Sequence, residues 1–347
     1  MSFLQVIKGN EEQKWDEIVR SFKIYDVNYL SGYAKAFELI GEGEPLLFYF
    51  DDGRTKAVNV VFKRDIALAE PFKEKLPLET WFDLSTPYGY GGFWIEGENY
   101  KTVNDTYEAY CKDNGFVSEF VRFNLFSGYQ PYFTGLSETH MHNVVRNLDI
   151  SLEDMLMDFE NNVRRSIKKA NKAGLRAEID LMGKRLDDFL EIYYGTMERT
   201  GAKKSFFFPK VFFQKINEME GNYFYIHVFY KEKVISTSLY LHETETCYAF
   251  LGGTNKDYFD LQPNYYLDYE AFKWAKNKGL KRIVLGGGYG NNDGIYRYKK
   301  SFAPNGLCDF YIGKKIYDEE KYRKLVEIRT QEDSFDKNTL FFPAYRG

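Results

Sequence analysis

Hydrophobic positions along the chain fall into blocks of two different periods, with turn residues at the breaks. Two β-rich runs, Pro45–Phe50 and Ala57–Arg64, flank Asp51-Asp52-Gly53 and predict a hairpin. Phe116–Leu125 alternates as a strand, after a helical stretch over 99–114 that Gly115 closes. Residues 11–40 carry helical spacing upstream of the hairpin. In the second half, Ser151-Leu-Glu-Asp154 is a capping-box variant. Its Ser can take a backbone donor, and its Asp faces the positive helix end. That start predicts a helix to about Ala173, stopped at Gly174. Further helices are predicted over 184–200 and 264–278, the latter ended by Gly279. Strands are predicted over 223–230, 233–242, 245–252 and Arg282–Leu285.

Hairpins followed by a helix and a further strand imply a mixed sheet flanked by helices, an α+β (mixed α/β) class. The plan occurs once in each half, so the repetition is domain-sized rather than solenoidal. A length of 347 residues fits two domains. Net charge is −4 for the whole chain, but −8 over 1–150 and +4 over 151–347. The change of sign coincides with the helix start at Ser151. It predicts domains over 1–150 and 151–347.

Several function classes drop out. The first fifteen residues include Lys8, Glu11, Glu12 and Lys14, so they form no apolar leader core. The apolar run Tyr223–Tyr230 is far too short to span a bilayer, and a cytoplasmic protein is expected. Cys111, Cys247 and Cys308 are odd in number and widely spaced, which excludes a disulfide framework and a CxxC site. No GxxxxGK[ST] or GxSxG is present, and Gly286-Gly-Gly-Tyr-Gly290 fails GxGxxG at its last position. His140 and His142, with Glu138, would share one face of a strand as a metal site, but they read as a plain surface loop, and no metal or cofactor is expected. His227 and His242 lie in strand-like runs and read as packed side chains.

Two constellations remain. Arg165, Lys168, Lys169 and Lys172 recur at helical spacing and form one basic stripe. It is either a solvated face or a phosphate-binding one. Farther on, Gly286–Gly290 precedes Arg297, Lys299 and Lys300. Permissive backbone beside cations suits a phosphate-bearing ligand, or else is a loop with incidental charge.

Several short motifs follow in order: Asp26-Val-Asn-Tyr-Leu30, Ala34-Lys-Ala-Phe37, Pro87-Tyr-Gly-Tyr-Gly-Gly92 and Arg164…Ile167-Lys-Lys-Ala170…Gly174. Thr196-Met-Glu-Arg-Thr200, Pro263-Asn-Tyr-Tyr-Leu267 and Leu285-Gly-Gly-Gly288…Tyr298-Lys-Lys-Ser-Phe302 complete the series. Their order resembles the FemABX family of non-ribosomal peptidyltransferases. The likeness spans roughly 25–303 and lacks the coiled-coil arm of some members. It implies two GNAT-like domains that move an amino acid from aminoacyl-tRNA to an amine of a lipid-linked peptidoglycan precursor. Contact with a membrane surface would then come through the substrate.

The resemblance also implies residue roles. Lys299 and Arg199 match types that hold precursor phosphates in the family, although Tyr298 stands where phenylalanine is commoner. Tyr88, Tyr90, Arg297 and Lys300 are expected to line the substrate, and Arg165, Lys168, Lys169 and Lys172 to meet tRNA. The acceptor amine must lose a proton, a deficit of roughly 4.6 kcal/mol at pH 7 for a pKa of about 10.4. Asp83, just before the Pro87–Gly92 loop, is the candidate base; otherwise it is a hydrogen-bonded structural carboxylate. A rival reading is an acyl-CoA-dependent GNAT enzyme acting on a sugar or peptide amine. Its [QR]xxGx[GA] phosphate loop would fall on Gln262–Leu267, where Tyr265 and Leu267 fill the small positions. A non-catalytic protein that binds the precursor or RNA is the third reading.

Overall fold

The computed structural model describes residues 3–288, 290, 293–332 and 334–347. They divide into two compact units, unit 1 being Met1–His140 with Phe310–Gly347 and unit 2 being Met141–Asp309. The chain begins with β1 (Leu4–Lys8), α1 (Glu12–Arg20) and α2 (Ser31–Glu38). The predicted hairpin follows as β2 (Glu44–Asp51) and β3 (Lys56–Asp65), then β4 (Phe82–Ser85), β5 (Trp94–Glu96), α3 (Tyr100–Asp113) and β6 (Phe116–Arg122). Within β7 (Leu136–Asn147) the chain passes into unit 2. There it forms α4 (Leu152–Asp158), α5 (Asn161–Lys172), β8 (Arg176–Asp180), α6 (Leu186–Thr200) and α7 (Lys210–Ile216). β9 (Tyr223–Tyr230), β10 (Lys233–His242), β11 (Thr246–Thr254), α8 (Pro263–Asn277), β12 (Arg282–Gly286) and α9 (Gly294–Phe302) complete it. Within β13 (Leu307–Ile316) the chain returns to unit 1, where α10 (Glu319–Thr330) follows.

Both units use one sheet plan. In unit 1 the order is β1-β2-β3-β4-β6-β13, with β4 and β6 parallel and the other neighbours antiparallel. In unit 2 it is β7-β12-β11-β10-β9-β8, with β11 and β12 parallel. A parallel pair needs a crossover, and α3 and α8 supply it. Each helix buries one face: Val103, Tyr107 and Cys111 of α3, and Tyr266, Leu267, Ala271, Phe272 and Ala275 of α8. The predicted mixed sheets flanked by helices are present in both units.

The domain limits differ from the expected 1–150 and 151–347. Unit 1 reclaims the C-terminal residues because β13 completes its sheet, Ile312 pairing with Arg122 and Ile316 with Ser118. Tyr345 then buries itself against Phe72 and shares a hydrogen bond with Ser118. The charge change near 150 marked a helix start a few residues inside unit 2. The predicted helix 151–173 is also two helices. Phe159 is extended (ψ 147°) and buried, and burying such a side chain stabilises by about 1.5–3 kcal/mol. Arg164 donates to the carbonyls of Met157 and Phe159, so the break leaves those acceptors satisfied.

Candidate active site

In unit 2 the parallel strands part company early. β11 pairs with β12 only from Thr246–Arg282 to Tyr248–Val284, yet β11 runs on to Thr254. β12 shifts register between Val284 and Gly286 and follows β7 instead, Gly286 lying opposite Val144. Gly286 has φ +79°, a backbone state that a glycine reaches without strain. The carboxyl ends of the pair therefore diverge, and open α/β sheets bind ligands at such ends.

Three elements meet the opening. α6 packs on β11, where Gly253 lies so close that a Cβ would stand 2.4 Å from Thr196 Oγ1. Thr196 Oγ1 accepts from Thr254 N at 3.1 Å. One turn later Arg199 is exposed, its guanidinium 5.0 Å above the ring of Phe259 in the segment that leads into α8. From α9, Lys299 Nζ donates to Gly287 O at 2.6 Å. Lys299 thus stands at the carboxyl end of β12, and Arg199 lies on the helix packed against the end of β11.

Asp268 on α8, which the sequence reading missed, anchors this end. Its carboxylate accepts from Tyr240 Oη at 2.5 Å and from Tyr298 Oη at 2.6 Å. Burial raises the Asp268 pKa, and the two hydroxyls pull it back. Burial also lowers the Lys299 pKa to about 8, while Asp268 and Asp293 oppose the change. Asp293 caps α9, accepting from Tyr296 N at 2.7 Å and from Gly290 N at 3.0 Å. Tyr298 in place of phenylalanine was the one visible signal, since a phenol on a buried face needs an acceptor.

The other expected cations are arranged differently. Helical spacing places Arg297 and Lys300 on one side of α9 and turns Lys299 roughly opposite Arg297. They do not form one cluster with Lys299. On α5, Arg165, Lys168, Lys169 and Lys172 are all exposed while Val163, Ile167 and Ala170 are buried. No ion pair engages these four cations among the described residues. Ser166 of the same helix donates to Gln262 Oε1 at 3.1 Å, which ties the stripe to the start of α8. At that start Tyr265 packs 4.9 Å from Tyr298 and 5.7 Å from Phe302, and Leu267 is buried.

Unit 1 holds the remaining expected residues. Asp83 is fully buried rather than facing a cleft. Arg64 Nε donates to it at 2.6 Å, Arg346 Nε at 2.5 Å and Tyr345 Oη at 3.0 Å. Asp83 therefore ties the C-terminal turn onto β3 and β4, as the alternative of a hydrogen-bonded structural carboxylate had it. Tyr88 is exposed on the Pro87–Gly92 loop and stacks 6.0 Å from Phe37, while Tyr33 Oη donates to its carbonyl at 2.6 Å. Tyr90 lies half-buried, 5.5 Å edge-on to Phe310. Glu138 pairs with Lys314 at 2.5 Å, and in unit 2 His142 Nδ1 lies 2.9 Å from Asp309 Oδ1. Among the described residues no group of three metal-ligating side chains comes together.

Residues 157–300 match the family described as acetyltransferase (GNAT) domain, and the chain is an acyltransferase. The more particular likeness is to FemX, whose crystal structure superposes with a TM-score of 0.67 at 16% identity, over 92% of this chain and 99% of that one. L-PGS from Bacillus licheniformis gives 0.56 at 10% identity, covering 92% and 96%. A conserved protein of unknown function from Bacteroides thetaiotaomicron gives 0.59 at 9%, covering 90% and 99%. No curated protein matches by sequence. The resemblance read from the motifs thus holds in the fold: the chain is built as FemX is, over nearly its whole length.

Proposed function

We propose that this acyltransferase moves an amino acid from aminoacyl-tRNA to an amine of a lipid-linked peptidoglycan precursor. The observation that carries the choice of donor is the filled start of α8. Tyr265 and Leu267 occupy the positions where a CoA pyrophosphate would need bare backbone, and Tyr265 is wedged against Tyr298 and Phe302. A donor that does not rely on that loop is required, and the exposed cations of α5 lie on the helix bonded to it. The FemX-like fold agrees with such a donor. Lys299 and Arg199 are then the anion-holding residues, an ammonium and a guanidinium that can share the phosphates of the acceptor. Tyr88 and Tyr90, with Arg297 and Lys300, are assigned to substrate contacts outside that pair.

Asp83 has no part in the chemistry. An aminoacyl ester is already activated, and holding ester and amine in line supplies most of the acceleration. The membrane-bound acceptor is met from outside the bilayer, since no described helix is long and apolar enough to cross one.

Incubation with mixed charged tRNA and lipid II, with and without RNase, tests the reading. Transfer of labelled amino acid that RNase abolishes is expected. Transfer that survives RNase, or proceeds from acetyl-CoA alone, would replace the donor with acyl-CoA. Binding of precursor or tRNA without any transfer would leave a non-catalytic protein.

A further inference from the structure

Unit 1 carries a guanidinium that its fold leaves almost unused. Arg122 ends β6, opposite Ile312 of β13. Its N–H donates to Thr86 Oγ1 at 3.0 Å, and its carbonyl accepts from Gly91 N at 2.6 Å. The residue is clamped between the two ends of the loop 87–90, at the carboxyl end of the parallel pair β4 and β6. Open α/β sheets bind ligands at that end. Its guanidinium lies 4.8 Å over the Phe120 ring. Among the described residues its one side-chain hydrogen bond is the long contact from Nη1 to Thr86 O at 3.4 Å, and no carboxylate forms an ion pair with it. Burial pulls its pKa below the ordinary value. A guanidinium brings five N–H donors, and a desolvated charge without a partner is costly. The donors are nevertheless within reach of a ligand: Arg122 is half-buried, and none of its unpaired nitrogens is sealed from solvent.

The neighbours of Arg122 favour an anion. Tyr33 and the exposed Tyr88 stand near enough to act on its charge, and Tyr33 Oη is already spent on the Tyr88 carbonyl. Arg64 opposes the charge from β3. Its Nε is held by Asp83 at 2.6 Å, and its Nη groups make no hydrogen bond among the described residues. Glu42 favours the charge without forming an ion pair. Two guanidinium groups that repel each other, both with spare donors, are balanced by a negative ligand. We propose that Arg122 is a substrate-binding residue, its guanidinium edge taking an oxyanion, a carboxylate or a phosphate, brought in beside Tyr88. The planar fork fits either group with two parallel hydrogen bonds. The Phe120 ring lies against the guanidinium face, so the edge is the bonding surface. The inference rests on the transfer reading, in which this anion belongs to the peptide or the diphosphate of the acceptor.

The test uses Arg122→Met, which keeps much of the length and removes the charge, and Arg122→Lys, which keeps the charge and loses the fork. Calorimetric titration measures binding of two probes, inorganic pyrophosphate and an N-acetylated stem pentapeptide with a free carboxyl end. Affinity for at least one probe should fall about ten- to a hundredfold in Arg122→Met, the range for losing a hydrogen bond to a charged group. Arg122→Lys should recover part of it. A loss confined to the peptide identifies a carboxylate, and a loss confined to pyrophosphate identifies a phosphate. Equal affinities in all three proteins, or no binding of either probe by the wild type, overturns the proposal. Melting of the free protein supplies a second check. Removing a charge that has no partner leaves nothing unpaired behind, so Arg122→Met should melt at or above the wild-type midpoint. A lower midpoint marks a structural guanidinium and overturns the proposal as well.

A parallel transfer assay keeps this result apart from that of the reaction itself. With lipid II as acceptor, Arg122→Met should raise the acceptor KM about ten- to a hundredfold with kcat kept, the signature of lost ground-state binding. An unchanged KM beside a wild type that transfers removes Arg122 from the site and leaves the reaction standing. A wild type that shows Arg122-dependent binding yet transfers nothing leaves the subsite standing and ends the transfer reading instead.

Discussion

Asp83→Ala should unfold unit 1 more easily without entering the chemistry at all. The carboxylate is wholly buried and accepts from Arg64, Arg346 and Tyr345, whereas the two arginines keep only 24% and 18% of their side-chain surface. Removing it leaves two mostly buried guanidinium groups and a phenol without their acceptor. Breaking a buried pair by deleting one partner destabilises by about 3–5 kcal/mol. For a unit of this size each kcal/mol moves the melting midpoint by roughly 2–4 °C, so a fall of about 6–20 °C is expected. The weakened region should be the C-terminal turn, because Tyr345 and Arg346 lose their tether to β4. Proteolysis should nick the variant near residues 330–347 first. Thermal melting and limited proteolysis of Asp83→Ala, with Asp83→Asn as the shape-preserving control, read the effect. A general base would behave in the opposite way. If Asp83→Asn melts with the wild type while transfer drops a hundredfold or more, the structural account fails.

Three further outcomes follow from the site in unit 2. Burial holds the Lys299 pKa near 8, below its ordinary 10.5, so the folded state gives up this proton before the unfolded state does. Stability measured by urea titration should therefore rise from pH 8 to pH 10.5 by about 3 kcal/mol relative to Lys299→Met, while transfer falls as the ammonium is lost; a pH-independent difference would refute the burial. Tyr298→Phe removes one of the two hydroxyls on Asp268 and should cost about 1.5–3 kcal/mol of stability, and unchanged urea midpoints would show that the bond carries nothing. Lys168→Ala with Lys172→Ala should flatten the slope of log tRNA affinity against log salt by about 1.5, since each phosphate contact contributes about 0.7–0.9, and identical slopes would mark the stripe as a solvated face.

How far the sequence reached depended on range. The β2–β3 hairpin, α3 and α8 were legible because the turn Asp51-Asp-Gly53 and the stop glycines Gly115 and Gly279 are local signals, the latter two at φ +75° and +87°. The broken helix before α5 was not, because Phe159 leaves the helix for a tertiary pocket that no local pattern encodes. β13 and α10 went unread, and with them the return of the chain to unit 1. Their register is set by β6, nearly two hundred residues away. The burial of Asp83 was missed for the same reason: its partners Tyr345 and Arg346 lie at the far end of the sequence. Within the candidate site, Lys299 and Arg199 were singled out through motif order. Asp268 carries no motif, and only the packing of α8 against α9 shows its two phenol partners.

The two units solve one packing problem alike and then diverge. In unit 1, Glu119 on β6 is buried and accepts from Tyr107 Oη at 3.0 Å and Tyr317 Oη at 2.5 Å. In unit 2, Asp268 accepts from Tyr240 and Tyr298 in the same two-phenol manner. Burial raises the pKa of both carboxyls, and two hydroxyls are what make each tolerable. The difference is the neighbourhood. Glu119 lies among Tyr107, Tyr317 and Cys111, a set that locks α3 and the returning strand into a core. Asp268 lies beside a lysine whose ammonium reaches Gly287 at a strand end built of glycine. A buried acid in the first setting can only stabilise. In the second it also fixes the phenol next in sequence to Lys299, and so the aim of that ammonium. Replacing Asp268 by Asn should therefore lower the Lys299 pKa further, because a nearby negative charge that favours the ammonium is gone. Replacing Glu119 by Gln should weaken unit 1 and leave the lysine untouched. Lys299 labelling rates against pH in the two variants distinguish the roles, and equal shifts in both would show that the two carboxylates do the same job.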